Sequence, residues 1–171
     1  MKNKKSLILK IIGGILVVAF LGFVIIQLIP VDRSNPAVVS EPNWDSPQTK
    51  ELMERACYDC HSNQTEWPAY SYVAPVSWLV AHDVEEGRDK FNLSDWARNP
   101  GEGDEMIEEI QSGGMPMPIY LPLHPSAKLS PAETEALIAG IKATFGEGDG
   151  EHGERGEASE AGEHDEESER D

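Results

Sequence analysis

Cys57-Tyr58-Asp59-Cys60-His61 is the most chemically specific run in this 171-residue chain, and it holds both of the chain's cysteines. Two thiols three apart near a helix end lie on nearly the same side, where each can bond one haem vinyl. The adjacent imidazole is then held beneath the iron as proximal ligand; CxxCH is the attachment pattern of c-type haem. Covalent attachment also lets a small domain keep a large apolar group that fills its core. Other chemistries fit the residues less well. A redox dithiol of the thioredoxin kind expects a βαβ pattern around it, and none is present. A zinc site needs four ligands, and Cys57, Cys60 and His61 are not a usual set. A disulfide across three residues closes too short a loop to stabilise much. The expectation is one haem c, bound covalently through Cys57 and Cys60, with His61 on the iron.

The opposite side of that iron needs a ligand, and the candidates are Met53, Met106, Met115, Met117, His82 and His124. Met53 and Met106 fall on apolar helical positions and read as core. Met115 lies 54 residues beyond His61, in Gly114-Met115-Pro116, where neighbouring prolines restrict the chain beforehand. It leads the candidates, with Met117 second. His82 and His124 follow, and an open site stays among the alternatives. A His/Met pair raises the reduction potential relative to two histidines, which suits an electron carrier.

Helices must position these groups. Ser46 as N-cap with Pro47 at the first position opens a helix through Leu52, Met53 and Ala56 to the cysteines. A second is expected over residues 75–88, with Val76, Leu79, Val80 and Val84 as its apolar stripe. A third covers 103–111, with Met106, Ile107 and Ile110 inward, stopped by Gly113-Gly114. Residues 115–129 carry four prolines and read as an extended loop. Ser130-Pro131-x-Glu133 is a capping-box start for a last helix with Leu137, Ile138 and Ile141 on one face. No strand pattern competes. The expected fold is all-α: a small cytochrome c-like domain over residues 44–145, around one covalently bound haem.

The ends differ from this middle. Residues 11–29 hold no charge and read as a transmembrane anchor over 11–30, about 28 Å of helix. Lys2, Lys4, Lys5 and Lys10 make residues 1–10 a basic cytoplasmic end, and the positive-inside rule sends the rest across. The expected location is single-pass in the cytoplasmic (inner) membrane, with the domain facing the periplasm or cell exterior. A cleaved signal peptide is disfavoured, since the run is long and lacks an Ala-x-Ala end. Residues 31–43 read as a linker. Residues 146–171 form an acidic Gly/Glu-rich tail, expected to be disordered. The net charge of −17 divides into +4 over residues 1–33, −11 over 34–146 and −10 over 147–171. Nucleic acid is excluded as a partner, because only the first residues are basic. A basic redox partner protein is expected instead.

Residues 56–68 (ACYDCHSNQTEWP), 73–88 (VAPVSWLVAHDVEEGR), 114–118 (GMPMP), 123–125 (LHP) and 128–130 (KLS) carry a family resemblance. With the apolar start and residues 33–36 (RSNP), the chain resembles the haem-binding domain family of bacterial single-CxxCH proteins, close to small c-type cytochromes. The resemblance covers about residues 40–145 and implies covalent haem on Cys57 and Cys60, iron on His61, and the methionine of the Gly-x-Met-Pro-like loop as partner ligand. The expected function is single-electron transfer by a membrane-anchored monohaem cytochrome, a carrier rather than a catalyst. The alternative is a haem catalyst or a gas or peroxide sensor with an open or displaceable sixth ligand.

Overall fold

The computed structural model describes residues 2–146, with side chains from Lys4 onward. The expected disordered tail beyond Gly146 lies outside the described residues. Among the described residues six α-helices follow one another: α1 (Lys2–Ile26), α2 (Pro47–Ala56), α3 (Tyr58–His61), α4 (Val76–Lys90), α5 (Gly103–Ser112) and α6 (Pro131–Phe145). Short 3₁₀ turns occupy Ala69–Tyr72 and Pro125–Ala127. Among the described residues there is no β-strand, only an isolated bridge between Ser40 and Asp95. The fold is all-α, as expected.

The helix ends follow the chemistry read from the sequence. Ser46 Oγ accepts the Thr49 N–H at 3.1 Å at the start of α2. Ser130 and Glu133 form a reciprocal capping box on α6, and Glu133 also accepts Arg55 Nη1 at 2.7 Å from α2. Gly113 closes α5 at φ 75°, in the left-handed region that glycine enters without a Cβ penalty.

Leu52 and Met53 of α2, Met106 and Ile107 of α5, and Leu137 and Ile141 of α6 form the core with Tyr58 and Leu93. Trp44, Trp96, Phe91 and Phe145 pack against it. The stripe expected on α4 is not core: Val84 is buried, whereas Val76 and Leu79 are exposed. The reason is that α4 packs on α3 and the 69–72 turn through small residues, Ser77 and Gly87, with Val84 between them. Val76, Trp78 and Leu79 stay on the surface, and Val80 and Ala81 are half-buried.

Residues 31–43 are extended and tied to the domain along their length. Arg88 Nη1 donates to Ser34 O at 3.0 Å, Asn63 Nδ2 to Ala37 O at 3.0 Å, and Val39 N to Ser94 O at 2.8 Å. Residues 115–129, read as an extended loop, instead make successive turns, with Tyr120 N bonded to Met117 O and Ala127 N to His124 O. Proline's fixed φ serves turns as readily as extended chain, and here the turns win.

Glu133 supplies a pH test. The Ser130 N–H, then Arg55, hold its carboxyl down at about 2, against an ordinary 4.5. A depressed carboxylate contributes its stability fully above the unfolded value and loses it as pH falls through the folded one. The stability gap between the native chain and Glu133→Gln is therefore expected to shrink between about pH 4.5 and 2. Urea midpoints across that range check this; a constant gap contradicts it.

Candidate functional site

The CxxCH run sits where α2 breaks. Cys57 caps α2 at φ −126°, ψ −30°, and the chain restarts as the single turn of α3. Cys57 Sγ lies 3.8 Å from the buried Met53 Sδ, and both thiols are free and half-buried. Burial pushes Cys57 up to about 12 and, with the charges of Asp59 and Asp83, Cys60 up to about 11. Redox-exchange cysteines have depressed values, and burial moves these two thiols the other way.

His61 is buried, and its ring is fixed on two sides. Phe91 stacks on it at 4.1 Å with 8° between planes. Nδ1 lies 2.7 Å from the Gly87 carbonyl oxygen. A carbonyl can only accept, so Nδ1 carries the proton and the lone pair of the neutral ring sits on Nε2. Burial lowers the ring's affinity for a second proton, partly offset by the Gly87 and Phe91 carbonyls, and so favours that neutral form. Metal-binding histidines commonly donate their other ring N–H to a carbonyl in this way.

Gly87 contributes twice. A Cβ there would stand 2.5 Å from the Cys60 carbonyl oxygen, so only glycine lets α4 approach α3 this closely. From the same residue comes the carbonyl that orients His61. Arg88 then donates to Ser62 O at 2.8 Å, Thr65 Oγ1 at 2.9 Å and Asn35 Oδ1 at 3.0 Å, pinning the chain that leaves the motif.

The proline-rich turns are tied to the motif through Asp59. Its carboxylate accepts Tyr120 OH at 2.5 Å and the Glu66 N–H at 2.8 Å. Burial and then Asp59 push the Tyr120 phenol up, keeping it a donor. Tyr120 stacks on His124 at 3.8 Å, and His124 Nε2 meets Tyr70 OH at 2.5 Å. This segment places Met115 on an exposed turn after α5 and Met117, half-buried, before Tyr120. His82 lies about 140° around α4 from Gly87. It is exposed there and pairs with Glu86 at 3.3 Å. His124 spends Nε2 on Tyr70. Met53 and Met106 are buried in the core.

Met115, Ile119 and Leu123, on the turns tied to the motif through Asp59 and Tyr120, are exposed apolar side chains. Exposed apolar surface on turns that are tied to a motif of two thiols and an imidazole fits a large apolar group with a metal at its centre. Sequence reasoning missed Gly87, Phe91 and the Asp59–Tyr120 tie. A lone glycine inside a helical pattern was the available signal for the first. The other two are contacts across 30 and 61 residues, which no local pattern announces.

Gly87→Ala is expected to destabilise the protein by about 1–3 kcal/mol through overpacking, although alanine is ordinarily the better helix former. Exposed Glu85→Ala on the same helix should stay within about 0.5 kcal/mol. Thermal unfolding of the full chain measures both, and equal small effects would show that the close approach is not needed.

A family model described as "Haem-binding domain" matches residues 21–143. The chain is also 29% identical over 98 residues to cytochrome c peroxidase Ccp of Escherichia coli (strain K12), a match covering 53% of this chain and 21% of that protein. The chain therefore spans about a fifth of that relative's length. No solved structure matches. With the family model covering most of the chain, motif and core included, this protein belongs to the haem-binding domain family.

Proposed function

We propose that the chain is a membrane-anchored monohaem c-type cytochrome that passes single electrons on the extracytoplasmic side of the membrane. The observation that carries this reading is the His61 ring next to two cysteines in the chain, with Nδ1 spent on the Gly87 carbonyl and Nε2 left with the lone pair. Cys57 and Cys60 would hold the haem through two thioethers, and His61 Nε2 would bind its iron. The haem supplies a one-electron couple. The chain's part is positioning: Phe91 and Gly87 hold the imidazole, and Arg88 anchors the segment beyond it. Asp59, through Tyr120, keeps the methionine-bearing turns against the motif.

Met115 is assigned as the sixth ligand, with Met117 the alternative and His82 behind it. The anchor reading is supported by α1, whose Lys4–Ile26 stretch contains an 18-residue window of mean hydropathy 2.7 with no buried residue. At about 1.5 Å per residue it is long enough to cross a bilayer. The acidic middle region favours a basic redox partner steered by charge. The second reading, a haem catalyst or sensor, is favoured by the likeness to a protein named as a peroxidase.

The full-length holoprotein is expected to give a low-spin spectrum with the weak far-red sulfur-to-iron band, lost in Met115→Ala and kept in Met117→Ala. A high-spin ferric spectrum in the native chain, with peroxide turnover, contradicts the carrier reading and supports the catalyst. Electron transfer to a cationic acceptor should slow as salt rises toward a Debye length of about 8 Å. Salt-independent rates contradict a charge-steered partner.

A further inference from the structure

Gln27, the first residue beyond α1, makes a two-way bond with one residue of the haem domain. Its Oε1 accepts the Ala74 N–H at 2.9 Å and its Nε2 donates to the Ala74 carbonyl at 3.2 Å. The same Nε2 also reaches Phe23 O at 3.0 Å within α1. Six residues on, Arg33 Nη1 donates to Ser71 O at 3.2 Å and its guanidinium lies 4.5 Å over the Tyr72 ring. Residues 71–74 are thus fastened to the end of the apolar helix.

Side chains beside that fastening are apolar and uncovered. Tyr72 is 58% exposed, Val73 46% and Val76 43%, with Leu28 and Ile29 exposed at the helix end. Residues 67–82 contain no Lys, Arg, Asp or Glu in a chain that is 26% charged, and two of their aromatics, Tyr72 and Trp78, are exposed. The acidic residues of α4 begin only at Asp83. Uncharged, aromatic-rich surface next to a spanning helix is what the headgroup region accepts, and acid-free surface is what anionic lipid tolerates.

We propose that the haem domain docks on the lipid surface through Tyr72, Val73 and Val76, clasped there by Gln27. This rests on the reading of α1 as an uncleaved membrane anchor. The clasp satisfies Gln27 and Ala74 polar groups at the edge of a medium that offers few partners. From Val76 to Gly87, α4 rises about 17 Å. The haem motif therefore stands at a set distance along α4 from the docked end, not on a swinging tether.

The test uses full-length holoprotein in nanodiscs of phosphatidylethanolamine and phosphatidylglycerol, one chain per disc. Val73→Cys, Val76→Cys and, on α5, the exposed Glu108→Cys are alkylated with a charged, water-soluble maleimide. Rates are normalised to the unfolded chain and mapped by peptide mass. Docking predicts that positions 73 and 76 react about tenfold more slowly than 108, and that Gln27→Ala removes most of the difference. Equal rates at all three positions in lipid-bound protein overturn docking while leaving the anchor intact. Protection that appears only with two chains per disc also overturns it, in favour of self-association. Failure of the intact chain to enter discs overturns the anchor reading, and docking with it.

Discussion

The hydrogen bond from His61 Nδ1 to the Gly87 carbonyl is the constraint on which the rest of the site depends. It selects a tautomer, aims a lone pair and sets how closely α4 must lie on α3. That closeness in turn requires the missing Cβ at Gly87, since any other residue would push its side chain into the Cys60 backbone. One position on one helix thereby controls both the chemistry of the imidazole and the packing of the motif. The core built by α2, α5 and α6 holds the other side of the CxxCH run, through Met53 beneath Cys57 and Tyr58 within the cluster. The motif is a joint between two packed bodies, and each helix it touches limits where the thiols can point.

Asp59 and Gln27 extend the same logic outward. Asp59, an unassigned position within CxxCH, carries the tie to the proline-rich turns. Gln27 carries the tie to the apolar helix. Between them run residues 31–43, bonded to the domain along their length, so apolar helix, motif and turns form one connected framework. Haem binding is the property of the family to which the chain belongs. In this framework, the CxxCH residues, the turns and the apolar helix are joined by hydrogen bonds within the chain itself.

Much of this was legible in the residues themselves. The helix ends were, because Ser46, Pro47, Gly113 and the Ser130–Glu133 pair act through local bonds that sequence spacing encodes. The inward faces of α5 and α6 were as well, since their apolar residues recur at helical period. The face of α4 was misread: Val76 and Leu79 fit an apolar stripe, but period alone does not say what covers a stripe. The tight turns of residues 115–129 were hidden for a related reason, because proline marks irregular chain without choosing between turn and extension. Phe91 on His61 and Tyr120 on Asp59 depend on tertiary approach and leave no local trace.

Covalent haem on the CxxCH pair is the central claim, and mass analysis of the purified full-length chain tests it most directly. The account predicts that one haem stays with the denatured chain, and that it maps to the peptide holding Cys57 and Cys60, leaving neither thiol open to alkylation. A peptide of unmodified mass with both cysteines alkylated would contradict it.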